Sequence, residues 1–327
     1  MIKTIFITCY HVFISRNIFN TAALRLLQRE PGLRLVIFTP PHKKEFLQKH
    51  YGSANTIIEE FDVESIIRAI YNKFLYRLGF FLENSRYVKD QRGEGLFRNR
   101  NLSGYLNYAW VSLGAAILSR LPLVRSLYRF LDFHFSPKDC FSGYFEKYRP
   151  NLVFATDIFG EHDVLLMREA RLRGVPVVGM VRSWDNTTTK GILRFIPERI
   201  IANSPVIKEE LVHIHGAKPD IIAVVGLPQF DRWINGPTLS REEFFRQIGQ
   251  DPAKRLVLFA PAGQALSDTD WQLCQILKDA MISGALPANL RFLVRNHPHH
   301  PADLSKFTPD EHFIIEVPGQ KLKGEDY

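Results

Sequence analysis

The residues of this 327-residue chain best suited to chemistry sit just after short apolar runs. Asp157 ends the run 151–156 (NLVFAT), with Glu161 and His162 one turn further on. A carboxylate there can take a proton from a hydroxyl or bind one; Asp157 or Thr156 can equally cap the helix that follows. Residues 182–191 (RSWDNTTTKG) gather Trp184, Asp185, Asn186, three threonines and Lys190 after the run VPVVGMV. Hydrogen-bonding groups beside an aromatic ring suit the hydroxyls and ring faces of a carbohydrate. A polar surface turn is the plainer alternative. Gly263 and Gln264, in the turn 261–264 (PAGQ) after RLVLFA, could offer backbone amides to a phosphate at a helix start. A simple strand-to-helix turn fits them nearly as well. Residues 295–300 (RNHPHH) follow LRFLV; there His297 and Arg295 could serve as acid, base or pyrophosphate ligand. Adjacent His299 and His300 lack well-spaced further ligands, so no metal is expected.

The elements that must position these groups alternate. Strands are predicted at 4–8, 33–38 and 56–61 and helices at 18–29 and 42–50, with His11 and Arg16 in the loop 9–16. Further strands are predicted at 151–156, 175–181, 199–202 and 221–225, with helices at 161–173 and 205–213. Short-spaced alternation of this kind makes a parallel sheet flanked by helices. Residues 227–252 read as a linker, and strands at 255–260, 291–295 and 312–317 start a second sheet. The expected fold class is α/β, with two Rossmann-like doubly wound parallel-sheet lobes. They are a first lobe, 1–226, carrying a helical insertion at 63–135, and a second lobe, 253–327. Three strands fall short of the usual five or six, so the second lobe is expected to be incomplete.

With 46% hydrophobic and 23% charged residues the chain can build a core, which excludes disordered and fibrous classes. Three scattered cysteines give no disulfide framework or zinc spacing and suit a reducing, cytoplasmic compartment. The N-terminus reads as a strand and not a signal peptide. The net charge of +8 is concentrated: residues 65–130 hold eleven Lys or Arg against three acids, so the remainder is neutral on balance. Two segments of that block, 66–81 and 108–124, are aromatic or apolar. They suggest a helix pair lying on an anionic membrane surface, or an ordinary insertion with a solvated basic face. No motif for nucleic acid accompanies the charge, so no nucleic-acid partner is expected.

The segment 154–191, FATDIFGEHDVLLMREARLRGVPVVGMVRSWDNTTTKG, is similar to the strand-Asp, helix, G-x-P-V strand and loop of the UDP-N-acetylglucosamine 2-epimerases. Residues 199–233, RIIANSPVIKEELVHIHGAKPDIIAVVGLPQFDRW, resemble the passage into the interlobe hinge of GT-B enzymes, and RNHP resembles a strand-end His region of their second lobe. The chain thus resembles the GT-B superfamily of sugar-nucleotide glycosyltransferases, with the epimerases and CDP-glycerol glycerophosphotransferases as relatives. The resemblance makes Asp157 and His297 the catalytic candidates. It implies a nucleotide-sugar or CDP-glycerol-type donor as substrate, no separate cofactor, and a cell-envelope polysaccharide or lipid-linked acceptor. The epimerases carry Glu-Ala-Gly-Leu-Arg where this chain has Arg182-Ser183-Trp184-Asp185-Asn186, which favours transfer over epimerisation. The alternatives are an epimerase-like enzyme and a non-catalytic, truncated protein on a membrane.

Overall fold

The computed structural model describes residues 2–62, 70–98, 101–234, 236, 239–297 and 300–316. Arg68 and Arg100 of the basic block, His299 and the tail after Glu316 lie outside the described residues. The chain divides into two compact units, Met1–Arg232 and Trp233–Asp326.

In the first unit, seven strands form one sheet: β1 (Lys3–Thr8), β2 (Leu33–Thr39), β3 (Thr56–Glu60), β4 (Leu152–Ala155), β5 (Val177–Met180), β6 (Arg199–Ala202) and β7 (Ile222–Val224). Their order is β3-β2-β1-β4-β5-β6-β7, and every pairing is parallel. Helices are α1 (Val12–Ile14), α2 (Ala22–Arg29), α3 (Lys44–Tyr51), α4 (Ile70–Leu82), α5 (Arg86–Arg98), α6 (Leu102–Leu118), α7 (Pro122–Phe135), α8 (Ser142–Tyr148), α9 (Glu161–Leu172), α10 (Asn186–Thr189) and α11 (Pro205–His213), and the division between the units falls within α12 (Asp231–Ile234). The central strands are buried on both faces, as their unbroken apolar runs require. Neighbouring residues point to opposite sides. Phe6, Val36 and Phe38 join a core with Leu166 and Phe195, whereas Ile7, Leu35 and Ile37 join one with Ile14, Leu24 and Leu47.

Two local expectations need correction. The segment 9–16 is not a plain loop: His11 caps α1, a π-helical turn follows at Ser15–Phe19, and α2 starts only after Thr21, whose hydroxyl accepts from the Ala23 amide. The apolar stretch 108–124 is not one helix. α6 ends at Leu118, and Pro122, which lacks the amide of a helix interior, opens α7.

The insertion between β3 and β4 is fixed by buried charge. Asp132 of α7, wholly buried, accepts from Arg168 of α9 and from Arg194, whose Nη2 lies 2.7 Å away. Elsewhere the insertion grips the loop 182–193. Glu83 accepts from the Gly191 amide at 2.6 Å, Ser85 donates to Thr188 O at 2.9 Å, and Arg129 donates to Leu193 O at 2.9 Å.

The second unit holds α13 (Arg241–Gln247), opened by a reciprocal Ser240–Glu243 cap, then β8 (Arg255–Phe259), α14 (Asp270–Ile282), β9 (Leu290–Arg295) and β10 (Phe313–Glu316). Its sheet is parallel, in the order β10-β9-β8. The architecture is therefore the expected α/β one, with a seven-stranded and a three-stranded parallel sheet.

Candidate functional site

In the first sheet the chain runs outward from β1 through β2 to β3, then returns to β4 on the other side of β1. Connections leaving β1 and β4 diverge there, and ligands of open parallel sheets bind in the resulting crevice. His11 follows β1 and Asp157 follows β4. The loop after β5 adds Arg182 and Asn186.

These four side chains form one network. Asp157 is buried; its Oδ2 accepts from Arg182 Nε at 2.6 Å, and its Oδ1 from the Phe159 amide at 3.2 Å and Asn186 Nδ2 at 3.4 Å. Three donors leave one of the four lone-pair sites of the carboxylate, on Oδ2, for a ligand. Arg182 Nη1 lies 3.3 Å from His11 Nδ1, which also accepts from the Phe13 amide at 3.2 Å. With Nδ1 accepting, the ring proton sits on Nε2. Burial first, then the Arg182 charge, lowers the His11 pKa to about 4, so the imidazole is neutral at pH 7 and acts as a donor through Nε2. Asn186 Oδ1 is buried beside the carboxylate and has no hydrogen-bond partner. An unsatisfied buried acceptor costs about 1–3 kcal/mol and calls for an explanation.

A second layer holds the first. Asp163 of α9 accepts from the Asp157 amide at 3.0 Å and from the Thr8 hydroxyl. Burial, reinforced by the Asp157 charge, pushes the Asp163 pKa up. Thr8 and Thr156 join β1 to β4 through hydroxyls 3.0 Å apart. Asn17 donates to Arg182 O at 2.9 Å, fixing the start of the loop. Below it, wholly buried His215 accepts from the Leu193 amide at 3.1 Å and holds Thr187 O at 2.8 Å. The loop is thus anchored from beneath, while Trp184, 76% exposed, and Lys190 stand at the surface.

Of the residues singled out in the sequence, the structure joins Asp157 and Asn186 directly, and His11 to them through Arg182. Arg16 stacks over Phe13 at 4.3 Å, and Arg182 approaches the same ring at 5.7 Å. Asp185 begins α10 and gives its carbonyl to Thr188 and Thr189. Glu161 lies apart from this network, half-buried, accepting from Asn72 at 3.2 Å and standing 3.9 Å from Arg194. Sequence reasoning passed over Arg182 as a site residue; its place at the end of β5, beside the loop already flagged, was the available signal. Asp163 and Thr8 carried no such signal, since their role depends on how β1 and β4 pair.

In the second unit the two flagged segments meet. Gly263 has φ +81°, and a Cβ there would stand 2.0 Å from His300 O. The Gln264 amide donates to Pro301 O at 3.3 Å. The amides of Ala262 and Gly263 are bound to the Asp270 carboxylate, at 3.2 and 2.9 Å, and do not point at open space. His297 Nδ1 accepts from the His300 amide, and exposed Arg295 lies 3.5 Å from Glu316. Gly263→Ala should therefore destabilise the second unit by roughly 2–4 kcal/mol, through a left-handed backbone and a backbone clash together. Hydrogen exchange of the β8 and β9 amides checks this.

No family model matches the chain, and no curated protein does. Among solved structures it is similar to a UDP-N-acetylglucosamine 2-epimerase from Rickettsia bellii, at 12% identity over 97% of this chain and 68% of that one, with a TM-score of 0.45. It is similar to a glycosyltransferase from Rickettsia africae, at 10% identity over 98% and 69%, with a TM-score of 0.47. A third is HepE from Anabaena, solved with UDP and glucose, at 11% identity over 98% and 70%, with a TM-score of 0.42. The fold assignment stands on the sheet topology itself.

Proposed function

We propose that the chain is a transferase that moves a glycosyl, or glycerophosphoryl, group from a nucleotide-activated donor to a hydroxyl of a cell-envelope polysaccharide or lipid-linked acceptor. The observation that carries this reading is the Asp157–Arg182–His11–Asn186 network at the β1/β4 crevice. It sets hydrogen-bond acceptors, Asp157 Oδ2 and Asn186 Oδ1, beside a donor, His11 Nε2–H, and that mixture matches a hydroxylated ligand.

In this reading Asp157 takes the proton of the acceptor hydroxyl as the oxygen attacks the anomeric carbon, or phosphorus, of the donor. The bond to the nucleotide phosphate breaks, and that phosphate leaves with the electron pair. Within the second unit, Arg295 and His297 are proposed as phosphate-binding groups, with Gly263 in the turn beside His300. His11, Arg16, Trp184, Asp185, Asn186 and Lys190 contribute acceptor contacts. The work would be cytoplasmic, at the inner membrane face.

Proton NMR of a UDP-sugar incubated with the protein and a polysaccharide acceptor tests the reaction class. Acceptor-dependent loss of the sugar's anomeric signal, with release of free UDP, is the expected result. Conversion to a second UDP-sugar without acceptor would instead establish epimerisation.

A further inference from the structure

The helix α6 is built the wrong way round for a helix facing water. None of its 17 residues is charged. Leu102, Leu106, Trp110, Leu113 and Ile117 recur at helical spacing on one stripe, and all five are exposed, Leu102 at 76% and Trp110 at 78%. Gly104, Tyr108, Val111, Ser112 and Ala115 are less exposed than this stripe, and Gly114 packs close to Phe81 of α4. A water-facing helix shows the opposite pattern. A contiguous apolar stripe of this size marks a surface with a partner.

Charge says which partner. In sequence, α6 is bracketed by Arg98 and Arg100 before it and Arg120 and Arg125 after it. Arg120, in the turn to α7, is exposed, as are Lys73 and Arg77 of α4 and Arg86 and Lys89 of α5. Among the described residues no helix is long and apolar enough to cross a membrane. An uncharged, Trp-bearing stripe flanked by cations fits a helix lying in the headgroup layer of an anionic bilayer.

We propose that the outward stripe of α6 is a lipid-docking face, which seats Trp110 and its neighbouring leucines in the interface of an anionic membrane while Arg120 and the other exposed cations meet the headgroups. This deepens the membrane side of the proposed function by naming the surface. Binding is read without turnover, so failure here leaves the transfer chemistry standing.

The test is co-sedimentation of the full chain with phosphatidylcholine vesicles, with and without phosphatidylglycerol. Binding should be at least about tenfold tighter on the anionic vesicles, weaken with salt, and shift tryptophan emission to the blue. The paired variant Leu106→Glu, Leu113→Glu should lose vesicle binding by about tenfold or more with an unchanged thermal midpoint, since both side chains are already exposed. Arg120→Gln should lower the preference for anionic vesicles and keep the fold. A wild-type chain that stays in the supernatant with phosphatidylglycerol vesicles overturns the proposal. So does a wild-type dimer that the paired variant turns into a monomer while vesicle binding is unaffected, because the stripe would then be a contact between two copies of the chain.

Discussion

Asp132→Ala should destabilise the first unit by roughly 3–5 kcal/mol, because it takes from two buried guanidinium groups the buried carboxylate that both of them bind. Arg168 and Arg194 are each under 10% exposed, and both point at this one wholly buried carboxylate. The two arginines come from α9 and from the segment after the Trp184 loop, whereas Asp132 belongs to the inserted helix α7. One substitution thus loosens the insertion, the sheet-covering helix and the site loop together. For a unit of this size the thermal midpoint should fall by about 10 °C. Asp132→Asn keeps the acceptor oxygen but removes the charge, and should lie between the wild type and the alanine variant. Thermal unfolding followed by far-UV circular dichroism checks both. A midpoint within a degree or two of wild type in the alanine variant would show that the charge cluster is not what fastens the insertion.

Arg182→Ala should have the larger effect on activity, cutting turnover by about a hundredfold or more through lost positioning of the Asp157 carboxylate and the His11 ring. Its pH signature is specific. In the wild type, burial and Arg182 keep the His11 pKa near about 4, below the ordinary 6.5. The unfolded chain therefore binds a proton at His11 that the folded chain does not, and this contribution to stability falls as pH drops from 6.5 toward 4. Removing Arg182 removes one of the two main causes, so the His11 pKa should move up toward 6.5 and that window should narrow. NMR titration of the His11 ring in both proteins reads the shift directly. An unchanged titration would mean that Arg182 does not face the ring in solution. Arg182→Lys keeps a charge without the planar fork that reaches both partners, so it should restore the titration better than the turnover.

Much of the framework was legible in the sequence because parallel strands write themselves as short apolar runs. LRLVIFT and NLVFAT fall where β2 and β4 are, and Ser204-Pro205 marks the start of α11 as an N-cap followed by a first-turn proline. The places where the reading slipped share one cause: tertiary contacts chose among local options. His11 could have been a loop residue, but its imidazole caps α1 while also meeting Arg182, 171 residues away. The stretch 108–124 has a continuous apolar composition, and only the proline inside it announces two helices. In the site, Asp157 and the Trp184 loop were visible as polar groups at strand ends. The network that links them was not, because it depends on strand order. Nothing local places β4 next to β1, or puts the Thr8 hydroxyl against Thr156 and Asp163. In the second unit, the contact of Gly263 with His300 was equally hidden, although a glycine after a strand invited inspection.

Turnover of a nucleotide-activated sugar by wild type and Asp157→Asn tests most directly whether Asp157 acts on a substrate hydroxyl. Asparagine keeps the shape and the Arg182 contact but cannot take the proton. Release of the nucleoside diphosphate in the presence of acceptor should fall by about a hundredfold or more, at a temperature where both proteins are folded by circular dichroism. Equal release from the two proteins would contradict the assignment and leave Asp157 as a cap and brace for the loop.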